Sequence, residues 1–332
     1  MGIPAEVAIC NAIAGHWRQK SIEKPVKTPL ECGTSCIEAD FGPDRDAMPT
    51  ANPSRAFPTV AFIGGGNMAF SLIGGLCADH VPAERIRVAE PRAEARAQLA
   101  AQFGVATFAT AEEAVADATV WVLAVKPQVL PEVAQSLAAL AQTQQPLILS
   151  IAAGIRSADL ERWLGGKLAV VRTMPNTPAL LRSGATGLYA NAQVSATQRE
   201  IAESILRTAG LTLWVQDETL MDAVTALSGS GPAYFFLVME AMQRAGEELG
   251  LNAEDARLLT LQTALGAARM ALESADDPAT LRQKVTSPGG TTEAAIRSLQ
   301  AAGLEQHFAT ALRAAADRAK QLADQFAQSD RA

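Results

Sequence analysis

One short glycine-rich segment constrains the fold of this chain more than any other feature. A β-branched and aromatic run, Thr59–Ile63, leads into Gly-Gly-Gly-Asn-Met-Ala at 64–69, and a helix-like pattern follows. The spacing G-x-G-x-x-A between a strand and a helix is typical of the first βα turn of a dinucleotide-binding fold. In such a turn Gly64 makes the bend, Gly66 lets the backbone approach a pyrophosphate, and Ala69 lets the helix pack against the strand. A glycine-rich turn without a ligand is the alternative interpretation.

Composition places the chain among globular proteins. It has 332 residues, of which 48% are hydrophobic and 19% charged, so that it is long enough for two domains. The net charge of −7 argues against a nucleic-acid partner, which would require a basic face. No apolar run approaches the roughly 20 residues that a membrane-spanning helix needs, so no membrane partner is expected.

Histidines and cysteines predict neither a metal site nor a disulfide scaffold. The three histidines, His16, His80 and His307, are scattered, and four cysteines are few for a chain of this length. Cys32 and Cys36 flank three residues and leave a metal or redox pair as an open alternative. We therefore expect no bound metal and a reducing location, the cytoplasm.

The first 57 residues differ from the rest of the chain. They contain six prolines and three of the four cysteines and show no sustained helical or strand period. They lack the features of a secretory signal, and their acidic residues argue against a transit peptide. Met48 is followed by a short polar lead and then a strand, as a native start would be. We expect residues 1–57 to be a flexible extension or the product of a misassigned start codon.

Strand-like and helix-like segments alternate from residue 58 to residue 217, which predicts an α/β domain with a Rossmann-type, doubly wound parallel sheet. Ligands of such sheets lie at the carboxyl ends of the strands. This places three loops around one crevice, Gly64–Ala69, Ala124–Pro127 and Ala152–Gly154. The second strand ends at Glu90-Pro91-Arg92, where an acid favours NAD and an arginine favours NADP. The two cues oppose each other, so the cofactor preference stays open.

Strand patterns stop after Asp217, and residues 218–328 predict an all-α domain. So much apolar helix surface in about 110 residues predicts a homodimer through these C-terminal helices. Within them, Ser287–Thr292 joins two helices with a Gly-Gly pair and three hydroxyls, a composition that suits a carboxylate-binding nest of N–H groups. Plain helix capping by a threonine is the alternative. Ser228–Pro232 and Met174–Pro178 each admit a ligand contact or a purely structural turn.

Six segments, in order along the chain, resemble those of the pyrroline-5-carboxylate reductase family. They are FIGGGNMA (Phe62–Ala69), AVKP (Ala124–Pro127), SIAAGI (Ser150–Ile155), RTMPNTPAL (Arg172–Leu180), DAVTALSGSGPAYFF (Asp222–Phe236) and VTSPGGTTEAAI (Val285–Ile296). The resemblance implies reduction of the cyclic imine L-1-pyrroline-5-carboxylate to L-proline, the last step of proline biosynthesis, with NADPH or NADH. It also implies pairing of chains through the helical domain, often as rings of dimers.

The resemblance and the residue chemistry together name the candidate site residues. Substrate is expected at Ser287, Gly290, Thr291 and Thr292, with Ser287 and Thr292 as the catalytic pair. Lys126 either supplies charge near the nicotinamide ribose or only caps a strand end. The expected cofactor contacts are Ile63, Gly64, Gly65, Gly66, Asn67, Met68, Glu90, Arg92, Ala124, Val125, Lys126, Pro127, Ile151, Ala152 and Ala153.

Two other functions compete with this one. A β-hydroxyacid-type dehydrogenase would need a catalytic lysine on a helix of the second domain, and only Lys284 and Lys320 follow Asp217. A non-catalytic NAD(P)-binding regulatory protein would have no use for a second, carboxylate-sized nest. The sequence therefore favours the reductase, in which the Ser287 hydroxyl and the N–H groups of Gly290–Thr292 hold the carboxylate. The Thr292 hydroxyl would then lie near the ring nitrogen.

Overall fold

A computed structural model describes residues 57–328 of the chain. The predictions for the N-terminal extension, except for Phe57 itself, and for Cys32 and Cys36 lie outside the described residues. No helix in the described part is long and apolar enough to cross a membrane. Within the same part, no three metal-ligating side chains cluster as a metal ion would require.

Eight strands form one sheet in the order β3-β2-β1-β4-β5-β6-β7-β8, and neighbours pair in parallel from β3 through to β6. The order 3-2-1-4-5-6 is that of a doubly wound dinucleotide-binding sheet, so the Rossmann-type prediction is confirmed. The strands are β1 (Val60–Ile63), β2 (Ile86–Ala89), β3 (Ala106–Phe108), β4 (Val120–Leu123), β5 (Leu147–Ser150), β6 (Ala169–Met174), β7 (Gly184–Ala190) and β8 (Gly210–Trp214).

The last two strands run against the other six. Strand β7 pairs antiparallel with β6, and β8 pairs parallel with β7. Only residues 175–183, which include a short 3₁₀ helix at Thr177–Leu181, separate β6 from β7. A parallel return needs a crossover of about a dozen residues or more, so this short link forces the chain to turn back.

Helices cover both faces of the central strands β1, β4 and β5, which explains why every residue of these strands is buried and nearly all are apolar. On β1, Val60 and Phe62 face one core, whereas Ala61 and Ile63 face the other. All four are at most 2% exposed. The helices of this half are α1 (Asn67–Ala78), α2 (Ala93–Phe103), α3 (Ala111–Val115), α4 (Leu130–Ser136), α5 (Ala138–Gln144), α6 (Ser157–Trp163) and α7 (Ala196–Arg207).

Two short helices, α4 and α5, follow each other directly in the chain. They meet at buried Leu137, whose N–H is shared between the carbonyls of Val133 and Ala134 at 3.3 and 3.2 Å. Sharing a donor in this way tightens the last turn of α4 and redirects the chain into α5.

The remaining helices are α8 (Leu220–Val224), α9 (Gly231–Glu248), α10 (Ala253–Glu273), α11 (Pro278–Lys284), α12 (Thr291–Ala301) and α13 (Leu304–Gln328). A π-helical turn at Thr225–Gly229 carries the helical path from α8 towards α9.

The helical half has almost no core of its own. From residue 231 to residue 328, the buried positions are few and small: Gly231, Ala256, Thr260, Ala319 and Ala323. Large apolar side chains of α9 and α10 are instead exposed, among them Phe235, Phe236, Leu237, Leu258, Leu259, Leu265 and Met270. These helices therefore present apolar surface that one chain does not cover.

Candidate active site

The predicted cofactor segments lie side by side at one edge of the sheet. Strands β2, β1, β4 and β5 are neighbours and run in parallel, so the loops that follow them emerge together. Backbone hydrogen bonds tie these loops to the ends of adjacent strands. The Gly64 N–H donates to the Ala89 carbonyl at 2.9 Å, and the Ala124 N–H donates to the Ile63 carbonyl at 2.8 Å. The Ile151 N–H donates to the Leu123 carbonyl at 3.2 Å.

The glycine-rich loop has the geometry that a pyrophosphate needs. Gly64 adopts a φ of +104°, and a Cβ there would lie 2.7 Å from the Ala124 carbonyl oxygen, so no other residue fits. A Cβ at Gly66 would meet no atom within 4 Å, which leaves open space for a ligand next to the backbone. Ala69 is 1% exposed and packs α1 into the core. These residues thus occupy the positions that the pattern predicts.

Free N–H groups lie at the start of α1, directly after the open space at Gly66. Gly66 is the N-cap residue and provides no side-chain cap, and the first intrahelical bond runs from the Phe70 N–H to the Gly66 carbonyl at 2.9 Å. The N–H groups of Asn67 and Met68 therefore have no intrahelical acceptor. Together with the helix dipole they suit a dinucleotide phosphate, so the residues present fit the cofactor.

Glu90 and Arg92 form a pair beside the glycine-rich loop. One Glu90 oxygen accepts from the Gly65 N–H at 3.2 Å, and the other accepts from the Arg92 N–H at 3.1 Å and Nε at 2.8 Å. Burial raises the pKa of the Glu90 carboxyl, but the hydrogen bonds from Arg92 and Gly65 outweigh it, and the pKa lies below its ordinary value. Glu90 is 5% exposed, whereas the Arg92 side chain is 69% exposed.

The other two cofactor loops differ in exposure. Lys126 is exposed, its side chain makes no hydrogen bond within the described chain, and its carbonyl accepts from the N–H groups of Val129 and Leu130. Val125 and Pro127 are half-buried beside it. In the third loop, Ala152 is buried while Ile151 and Ala153 are half-buried.

The predicted substrate segment is a turn that opens α12. Gly290 is the N-cap and has no side-chain cap, so neither threonine caps the helix as the alternative required. The Gly290 N–H donates to the Ser287 carbonyl at 3.0 Å, and the Gly289 N–H donates to Glu293 Oε2 at 2.8 Å. The Gly290 N–H, which is expected to bind a carboxylate, is thus engaged by the turn itself in this arrangement. The N–H groups of Thr291 and Thr292 lie in the first turn of α12 and have no intrahelical acceptor.

Within the described residues, no hydrogen bond joins the substrate segment to the cofactor loops. Ser287 and Thr291 are exposed. Across residues 57–328, the hydrogen bonds of Ser287–Thr292 all run to residues of the same turn and the adjoining helix α12.

An ionic cluster that the sequence did not reveal joins the sheet to the start of the helical half. Glu218 accepts from the Ser157 N–H and hydroxyl, both at 2.7 Å, and from Arg172 Nη1 at 3.4 Å. Arg172 is 4% exposed and also faces Asp222 at 3.8 Å. A cavity of about 300 Å³ lies beside it, lined by Arg156, Arg172, Glu218, Thr219, Asp222 and Lys320. No spacing links these residues in sequence, so only the fold shows the cluster.

Hydrogen bonds of Asn176 join the segments Met174–Pro178 and Ser228–Pro232. The Asn176 amide nitrogen donates to the Ser228 carbonyl at 3.1 Å and to its hydroxyl at 3.3 Å. Asn176 Oδ1 accepts from the Ala185 N–H at 2.9 Å. These bonds give both segments a structural part in fixing β7 against the π-helical turn.

Comparison with known proteins decides the family. Residues 218–322 match the family model described as pyrroline-5-carboxylate reductase dimerisation, and residues 59–154 match the one described as NADP oxidoreductase, coenzyme F420-dependent. A pyrroline-5-carboxylate reductase of Pseudomonas aeruginosa is 60% identical over 271 residues, which are 82% of this chain and 99% of that protein. The chain belongs to the pyrroline-5-carboxylate reductase family.

Solved structures of the pyrroline-5-carboxylate reductase family agree with this assignment. The enzyme from Coxiella burnetii is 46% identical, with a TM-score of 0.78 over 80% of this chain and 98% of its own. The NADP-bound enzyme from Plasmodium falciparum is 27% identical, with a TM-score of 0.72 over 81% of this chain and 99% of its own. Family membership makes this chain an NAD(P)H-dependent oxidoreductase.

Proposed function

We propose that this chain reduces L-1-pyrroline-5-carboxylate to L-proline with NADPH or NADH. The observation that carries the proposal is the 60% identity to a pyrroline-5-carboxylate reductase across 99% of that protein. The glycine-rich loop supports it independently, because its geometry fits a dinucleotide phosphate. Nothing in the fold favours a β-hydroxyacid-type dehydrogenase or a non-catalytic sensor.

The sheet half would hold the cofactor, which supplies a hydride when bound. The N–H groups at the start of α1 bind the pyrophosphate, and Gly66 leaves room for it. The backbone of Ala124–Pro127 and Ile151–Ala153 lines the nicotinamide end of the crevice, where Lys126 adds positive charge. These loops lie at the carboxyl ends of β4 and β5, the usual ligand edge of such a sheet.

The helical half would hold the substrate. The N–H groups of Thr291 and Thr292 and the Ser287 hydroxyl bind the carboxylate, and the Thr292 hydroxyl lies near the ring nitrogen. Gly290 acts by its size, because a Cβ there would lie 3.0 Å from the Ser287 carbonyl oxygen and disturb the turn. A protonated imine already carries the proton that the product needs, so the site positions charge and requires no strong acid.

A homodimer through the C-terminal helices, assembled into a ring of dimers, would complete this site. Ser287–Thr292 makes no hydrogen bond to the sheet half, and α9 and α10 expose a large apolar surface. A second copy that covers this surface brings a substrate segment up to a cofactor crevice. We place this enzyme in the cytoplasm, with its first 47 residues dispensable.

Oxidation of NADPH and NADH with L-1-pyrroline-5-carboxylate tests the proposal. The full-length chain and a chain that begins at Met48 are compared at equal concentration. We expect turnover that is equal in both, since the candidate site residues begin at Ile63 and are all present in both proteins. Cofactor binding without turnover in either protein would contradict the proposal and favour the non-catalytic interpretation.

A further inference from the structure

The Glu90–Arg92 pair bears on which of the two nicotinamide cofactors the chain selects. The two cofactors differ only at the adenosine ribose, which carries a 2′-hydroxyl in NADH and a 2′-phosphate in NADPH. In a doubly wound sheet this group lies at the end of the second strand, where Glu90 follows β2. An acid that accepts from the 2′-hydroxyl needs free oxygen lone pairs directed at the crevice.

Glu90 is already engaged within the protein. Its carboxylate accepts three hydrogen bonds, from the Gly65 N–H, the Arg92 N–H and Arg92 Nε. Only 5% of the residue is exposed, and a Cβ at Gly65 would lie 3.2 Å from Glu90 Cβ, so the side chain packs directly under the loop. Glu90 therefore braces the glycine-rich loop and has its charge neutralised by Arg92.

The Arg92 side chain, unlike that of Glu90, is largely exposed and keeps donors that bond no other described residue. It meets Glu90 through Nε alone, and neither of its Nη atoms bonds any residue between 57 and 328. With 69% of the side chain exposed, the terminal edge of the guanidinium is open to solvent. That edge carries two parallel N–H donors, which is the geometry that binds a phosphate in a bidentate manner.

Two further charged residues, Arg96 and Glu94, lie near the end of β2. Arg96 Nη1 donates to the carbonyls of Glu90 and Pro91, both at 2.8 Å, so a second cation stands at the end of β2. Glu94 is the other acid nearby, and it is exposed on the first turn of α2. Buried Glu90 is thus paired with Arg92, while the two exposed Nη groups of Arg92 remain available to an anion.

We infer that Arg92, positioned by Glu90, binds the 2′-phosphate and makes the enzyme select NADPH over NADH. The inference rests on the proposed cofactor site and assigns the choice between NADPH and NADH to one side chain of that site. Loss of a bidentate, charge-assisted contact weakens binding by about ten- to one-hundred-fold.

Calorimetric binding to the full-length chain tests this without turnover. The probes are adenosine 2′,5′-bisphosphate, which carries the 2′-phosphate of NADPH, and 5′-AMP, which lacks it. Arg92→Ala should weaken the bisphosphate by about ten- to one-hundred-fold and change 5′-AMP by less than about two-fold. The ratio of the KM values for NADPH and NADH should shift by a similar factor. Arg92→Lys should fall between, because it keeps the charge and loses the fork.

Arg207→Ala is the matched control. Arg207 also pairs with a glutamate, Glu203, and is 57% exposed, but it lies on α7 beside the far edge of the sheet. It should leave both affinities unchanged. Equal wild-type affinity for the two probes, or an equal loss of both in Arg92→Ala, would overturn the inference. Failure of the full-length chain to bind either probe, NADPH or NADH would instead overturn the proposed cofactor site itself.

Discussion

Removal of the Glu218 side chain is expected to destabilise the junction between the sheet and the helical half. Glu218 caps the start of α6 from a distant part of the chain, through the Ser157 N–H and hydroxyl at 2.7 Å each. It is also the nearer of two carboxylates that face buried Arg172. In Glu218→Ala, Arg172 would keep only Asp222, at 3.8 Å, and the first turn of α6 would lose its acceptor.

The expected loss follows from these contacts. A hydrogen bond to a charged group contributes about 1.5–3 kcal/mol, and breaking a buried ion pair costs about 3–5 kcal/mol. Because the bonds share one carboxylate they do not add, and we expect a fall of about 3–4 kcal/mol in the free energy of unfolding. For a protein of this size that corresponds to a Tm lower by about 6–15 °C.

Thermal unfolding of the full-length chain, followed by circular dichroism at fixed protein concentration, measures the effect. Glu218→Gln keeps an acceptor for Ser157 and should lose about half as much. Glu84→Ala, at an exposed glutamate of the sheet half, is the control and should shift the Tm by little. A Glu218→Ala shift no larger than that of Glu84→Ala would refute the argument that this cluster holds the junction together.

Three further outcomes are expected. Thr292→Ala should lower kcat, whereas Ser287→Ala should mainly raise the KM for the imine; steady-state kinetics that show equal loss of both parameters in both variants would contradict this division. Glu90 has a lowered pKa in the folded state, so its stabilisation is present above its ordinary value of 4.5 and is lost as the pH falls through the lowered one. The stability difference between wild type and Glu90→Gln, measured by urea unfolding, should therefore shrink from pH 7 to pH 4. Phe236 is 63% exposed in one chain and should be covered in a dimer. Phe236→Ser should therefore raise the dimer dissociation constant, measured by sedimentation, by about ten-fold. An unchanged dissociation constant would exclude Phe236 from the interface.

The sheet half was predictable from sequence because its signals are local. Alternating short apolar runs and helical stretches specify βα units, and Gly64, Gly66 and Ala69 have backbone tasks that few other residues perform. The direction of β7 was not predictable from its composition, since an isolated strand pattern carries no direction. The shortness of the link at 175–183 was the available signal.

The candidate site was predictable only in part. Its segments could be named from sequence, but the partners of their N–H groups could not. Gly290 illustrates this, because the donor expected to bind substrate closes its own turn on the Ser287 carbonyl. Glu218 and Arg172 were missed because they are 46 residues apart and meet only in the folded chain.

The two halves of the chain differ in how completely a single copy buries their apolar residues, and this difference bears on function. In the sheet half, apolar residues are buried on both faces and the crevice is braced by bonds within the chain, including Glu90 to Gly65. In the helical half, large apolar residues are instead exposed, since α9 and α10 pack mainly against each other. An apolar helix face of this extent gains its stability only when another surface covers it. The turn that would hold the substrate lies within that uncovered half, so a second copy would stabilise the helices and position the substrate in a single association step.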